Sequence, residues 1–100
     1  MILSFIEIEN CKFTTHGREY VGNISQTEND NLCLKWNEGM LEHLQLDTKT
    51  YWDIDPVLDS NYCRNPTNFP NGPWCFVDSQ TLEWEYCNIP HCVTSRQHKR

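Results

Sequence analysis

The sequence predicts a small disulfide-rich domain, mostly irregular loops with a few short antiparallel strands. Three observations carry this expectation. The chain has 100 residues, too few to bury a large apolar core. Its six cysteines, Cys11, Cys33, Cys63, Cys75, Cys87 and Cys92, form an even set of the kind that pairs and persists in an oxidising compartment. The hydrophobic share of 38% owes much to cysteine and aromatic side chains, while Asn, Asp, Thr, Gly and Pro punctuate the chain throughout.

Residues 1–10 read as an N-terminal flank in which Ile6 and Ile8 alternate with Glu7 and Glu9, the pattern of a short extended segment. This start is a poor export signal, because it lacks a basic lead and Glu7 interrupts its apolar run. The expectation is a domain cut from a larger secreted or membrane-anchored protein. Gly17 to Gly22 reads as turn, brief strand and turn, and residues 26–31 as a polar turn before Cys33.

Leu34 to Leu46 carries Leu34, Trp36, Met40, Leu41, Leu44 and Leu46, but Gly39 interrupts it and the spacing fits a 3.6-residue stripe poorly. A loop with at most a turn of helix is expected. Residues 47–60 carry Asp47, Asp53, Asp55 and Asp59 around Tyr51 and Trp52, with Pro56 barring a regular element; Asp53, Asp55 and Asp59 read as a solvated acidic loop. Two short strands are expected near Trp74 to Val77 and Trp84 to Cys87, joined by the turn-like Asp78-Ser79-Gln80-Thr81. Alternation places Trp74 and Phe76 on one surface and Trp84 and Tyr86 on another part of it.

Several chemistries are disfavoured. No cysteine pair has the two-residue gap of a zinc knuckle, the nearest approach being Cys87 and Cys92 with His91 beside the latter, so no metal site is expected. No EF-type loop surrounds the aspartates. The formal charge of −6 argues against nucleic acid and acidic membranes. The basic cluster Arg96-Gln97-His98-Lys99-Arg100, within the tail 93–100, reads as a solvated end or linker. No window approaches the about twenty apolar residues a bilayer span requires. The serines lie in polar stretches with no Gly-x-Ser-x-Gly, so no hydrolase and no cofactor are expected. Asn23-Ile24-Ser25 is a glycosylation acceptor triplet, whereas Asn65-Pro66-Thr67 is blocked by its proline.

One combination is more specific. Gly17-x-x-Tyr20-x-Gly22, Thr27, Cys33-x-x-Trp36, His43, Leu58, Asn61-Tyr62-Cys63-Arg64-Asn65-Pro66, Pro73-Trp74-Cys75-Phe76 and Trp84-x-Tyr86-Cys87 precede Cys92. The steps are twelve residues from Cys63 to Cys75, twelve to Cys87 and five to Cys92. From Cys11 to Cys92 this pattern resembles a kringle domain. Six cysteines admit fifteen pairings; the resemblance implies Cys11 to Cys92, Cys33 to Cys75 and Cys63 to Cys87. It also implies that Trp36, Leu58 and part of Trp74 pack on the sulfurs, that Gly17 and Gly22 are turn residues, and that His43 and Asn65 are hydrogen-bonded structural groups.

Kringles are non-catalytic, and their familiar activity is capture of a lysine side chain in an aromatic trough between anionic and cationic ends. Carried over by motif, the ligand-binding trough is Trp74, Phe76, Trp84 and Tyr86. The anionic end departs from the pattern, with Thr67 and Phe69 where lysine-binding members carry aspartates. The cationic end departs too, with Glu83 where an arginine often stands. Weak or absent binding of free lysine follows, leaving a cation–π grip on a partner's Lys or Arg. The stretch Tyr62 to Asn68, with Pro73 to Phe76 and Asn88-Ile89-Pro90-His91-Cys92, resembles the kringle of Ror-type receptor tyrosine kinases. The expected role is an extracellular module contacting a protein ligand or a neighbouring ectodomain, the alternative being a targeting kringle of a secreted serine-protease zymogen.

Overall fold

The computed structural model describes residues 10–38, 40–43 and 47–92. The expected extended segment at Ile6 and Ile8, the basic tail Arg96 to Arg100, and Gly39, Leu44 and Leu46 lie outside the described residues.

The most regular part is the expected hairpin. Strand β1 (Trp74–Phe76) runs antiparallel to β2 (Trp84–Tyr86), with Trp74 opposite Tyr86, Cys75 opposite Glu85 and Phe76 opposite Trp84. The pleat therefore sends the four aromatic side chains to one face and Cys75 and Glu85 to the other. Asp78 sets the turn: its carboxylate accepts the Gln80 and Thr81 N–H groups at 2.8 and 3.1 Å. The Thr81 and Gln80 bonds hold this carboxyl below the usual carboxylate range. Leu82 completes the reversal at φ +63°. On the outer side, Arg64 and Trp74 exchange main-chain bonds of 3.2 and 2.8 Å, adding one rung to the sheet. On the opposite face, the Glu85 carboxylate accepts the Thr27 hydroxyl and the Asn31 amide, tying the 27–31 turn to β2.

Three disulfides close the chain, Cys11–Cys92, Cys33–Cys75 and Cys63–Cys87, at sequence separations of 81, 42 and 24. This is the pairing implied by the resemblance. The sulfurs of Cys33, Cys63, Cys75 and Cys87 lie within 4.8 Å of one another at the buried centre. All four are spent as disulfides, so the cluster is a crosslink and not a set of thiolate ligands. Beside the outer bridge, Lys12 N–H donates to Pro90 O at 2.9 Å and Cys92 N–H to Lys12 O at 2.8 Å, joining the two ends of the domain.

Aromatic side chains fill the space around the sulfurs. Trp36 meets Trp74 edge-on at 5.1 Å and Trp52 at 5.2 Å, and its buried indole N–H donates to Tyr62 O at 2.7 Å. A buried indole needs such an acceptor. Among the described residues of the Leu34 to Leu46 stretch there are a 3-10 turn at Trp36–Glu38 and helix α1 at Met40–His43, each about a turn long as expected.

Several expectations are corrected. Residues 47–60 hold a second helix, α2 (Lys49–Ile54), because Tyr51 and Trp52 bury one face and Thr48 Oγ1 accepts the Trp52 indole N–H at 2.9 Å. Pro56 does not bar this helix but ends it, with Asp55 already extended at φ −127°, ψ 82°. Asp55 is not a solvated acid; it pairs with Arg64 at 2.7 Å. Leu58 is 37% exposed and so is not part of the sulfur core. Gly17 does take positive φ, at +61°, where a Cβ would strike Pro73, but Gly22 does not; it is buried and its carbonyl accepts Arg64 at 2.7 Å. Asn65 is a hydrogen-bonded structural group, whereas His43 is exposed at the end of α1. No helix among the described residues is long and apolar enough to cross a membrane.

Candidate binding site

The hairpin aligns Trp74, Phe76, Trp84 and Tyr86, as the alternation requires, but it does not leave them equally accessible. Trp74 is 0% and Phe76 1% exposed, whereas Trp84 and Tyr86 are half-buried. Trp74 and Phe76 are thus core: both meet Trp36 edge-on, and they meet each other at 5.0 Å. Of the four residues expected to form the trough, only Trp84 and Tyr86 are therefore accessible in this structure.

Phe69 is what closes it. Its ring stacks on Trp74 at 5.2 Å with planes 25° apart, and lies tilted on Trp84 at 4.9 Å. The loop that delivers it is fixed from below. Asn65, fully buried, accepts the Phe69 N–H at 2.8 Å and donates to Phe69 O at 2.9 Å and His16 O at 2.6 Å. Asn68 takes φ +60°, a conformation asparagine tolerates, and turns Phe69 back over the sheet. Thr67 also acts locally, its hydroxyl accepting the Trp74 indole N–H at 2.9 Å. The two positions without aspartates therefore do more than omit charge. One anchors the tryptophan and the other covers it.

The accessible remainder is a strip of Phe69, Trp84 and Tyr86, with Trp84 and Tyr86 edge-to-face at 5.1 Å. Glu83 is exposed beside it. Glu85 points to the other face, where its bonds to Thr27 and Asn31 keep its carboxyl below the usual range. A separate groove of about 580 Å³, lined by Trp36, Leu41, Trp52 and Leu58, contains none of the four trough residues.

Sequence reasoning also missed a buried electrostatic centre. Arg64, 1% exposed, pairs through Nε with Asp55 at 2.7 Å, and its Nη1 donates to Gly22 O and Cys63 O at 2.7 and 2.8 Å. Its guanidinium lies 5.4 Å from the Tyr20 ring centroid and 5.5 Å from that of Tyr62. The motif quoted Arg64, but nothing local in the sequence marks Asp55, nine positions earlier, as its counter-ion. Asn23 is exposed, and its backbone N–H donates to Asn10 Oδ1 at 2.9 Å.

A disulfide-crosslinked knot of loops that presents side chains from one short hairpin is a small binding module. A family model described as Kringle domain matches residues 11–92. The chain belongs to the kringle family, whose members are generally extracellular, non-catalytic modules that mediate protein–protein interactions; the isolated domain is accordingly not an enzyme.

Proposed function

We propose that this kringle is an extracellular protein-interaction module of a Ror-like receptor tyrosine kinase ectodomain, without a complete lysine-binding site. The observation that carries the second half is the Phe69 ring lying against both Trp74 and Trp84. An ω-amino acid would find the Trp74 indole covered, Trp84 only partly open beside Phe69, and no carboxylate at residues 67 and 69 for its ammonium. Contact with a partner runs instead through Trp84 and Tyr86, where a Lys or Arg presented by a folded protein gains cation–π attraction without a fixed anion. Asn23, exposed and within Asn-Ile-Ser, carries a glycan in this reading.

Titration of the oxidised domain with 6-aminohexanoic acid, followed by tryptophan fluorescence, tests the site. The expected result is no saturable change; saturation at micromolar ligand overturns it. The parent protein is tested by the full transcript. A hydrophobic span of about twenty residues followed by a kinase signature supports the receptor, while His, Asp and Ser protease motifs support the zymogen instead.

A further inference from the structure

We infer that Asn71–Gly72 is a self-modification site, converting to aspartate or isoaspartate through a cyclic imide in the loop that holds Phe69. The Gly72 backbone nitrogen, losing its proton, bonds to the Asn71 side-chain carbonyl carbon. The carboxamide C–N bond breaks and the nitrogen leaves as ammonia, carrying away a proton. Water then opens either C–N bond of the ring, giving aspartate or isoaspartate, so that the net reaction consumes one water and releases one ammonia.

Four features converge on this step. Asn71-Gly72 is the one Asn-Gly sequence in the chain. Asn71 is exposed, so its carboxamide is accessible to water. Gly72 has no Cβ to shield its nitrogen and takes φ +113°; among the described residues that nitrogen is held by a 3.4 Å bond to Phe69 O, longer than the usual range of about 2.7–3.2 Å. Finally, the Lys12 ammonium lies 2.8 Å from the point a Cβ on residue 72 would occupy. Lys12 is largely buried and its Nζ donates to Thr15 O at 3.0 Å. A cation fixed against this peptide favours the anionic nitrogen and the oxyanion that follows its attack. The other exposed asparagines followed by bulky residues, Asn68-Phe69, Asn23-Ile24, Asn31-Leu32 and Asn88-Ile89, present a side chain where the attacking nitrogen must approach.

The consequence falls on the trough. The turn from Phe69 to Gly72 is closed by the same weak bond, and isoaspartate inserts a backbone methylene inside it. The Phe69 ring then loses its seat on Trp84, and a new carboxylate appears in the loop. This inference stands apart from the proposed partner and parent protein.

The test is ageing of the oxidised, folded domain at mildly alkaline pH. Peptide mapping, ammonia release and enzymatic methylation of isoaspartate read the conversion, with Asn71→Gln as the comparison. Conversion at Asn71 ahead of every other asparagine, absent from Asn71→Gln, is expected. Conversion at Asn68 first, or at Asn71 only after reduction and unfolding, overturns the inference. In the aged fraction the Trp74 indole proton is expected to exchange faster with solvent; an unchanged indole overturns the consequence for the loop.

Discussion

Phe69 stacks on Trp74 with ring centroids 5.2 Å apart and planes 25° from parallel. This contact joins fold to function, because the face of Trp74 turned toward the hairpin surface is covered by the chain's own side chain. Offset stacking of this kind adds about 0.5–1.5 kcal/mol beyond the area it buries. It persists because Asn65 clamps both main-chain polar groups of Phe69.

Phe69→Ala uncovers the indoles of Trp74 and Trp84 at a cost of about 1–3 kcal/mol, below the range for a fully buried phenylalanine because this ring is half-exposed. Urea unfolding measures the cost. Combining Phe69→Asp with Thr67→Asp opens the trough and supplies the two missing carboxylates. That double variant is expected to bind 6-aminohexanoic acid, and the parent domain is expected not to.

The Asp55–Arg64 pair is buried on the arginine side, with side-chain exposures of 17% and 2%. Asp55→Ala strands a guanidinium between the Tyr20 and Tyr62 rings, and is expected to cost about 3–5 kcal/mol. Replacing both partners with apolar residues, as in Asp55→Leu with Arg64→Met, costs less than the two single changes summed. A double-mutant cycle by chemical denaturation reads the difference.

Tyr51 gives the fold an alkaline limit. Burial raises its phenol from 10.0 to about 12, outweighing the pull of Arg64, and its hydroxyl finds no hydrogen-bond partner among the described residues. A raised folded value means that the contribution is fully present below pH 10.0 and is lost as pH rises toward about 12. Thermal melts between these limits are expected to show falling stability. Tyr51→Phe removes this component, so its stability is expected to change little over the same alkaline range.

Reduction is expected to unfold the domain. On the chain-entropy model, loops of 81, 42 and 24 residues are each worth about 3–5 kcal/mol, non-additively, against a typical total stability of about 5–15 kcal/mol. Loss of near-ultraviolet dichroism on adding dithiothreitol measures it. Retention of the signal by the fully reduced chain contradicts it.

The legible part of this fold is the part written at fixed spacing. The cysteine steps and the motifs around Cys63, Cys75 and Cys87 marked the family, and alternation around Cys75 and Glu85 marked the hairpin and its aromatic face. What was not legible depends on partners brought together by the loops. Phe69 reads as a missing carboxylate until its loop folds it onto Trp74 and Trp84. Asp55 reads as one solvated acid among three until Arg64 arrives from another segment. Helix α2 is too short for a periodic signal and Pro56 follows it closely, so the burial of Tyr51 and Trp52 that forms it leaves no mark in the local sequence. Leu58 matched a family position without the burial that position implies.

Nuclear Overhauser contacts between the Phe69 ring and the indole protons of Trp74 and Trp84, recorded with and without excess 6-aminohexanoic acid, test the covered trough most directly. The contacts are expected in the free domain, unchanged by the amino acid, with the indole resonances unmoved. Loss of the Phe69 contacts together with a saturable shift of the Trp84 indole proton would show an open, working lysine site and contradict the account.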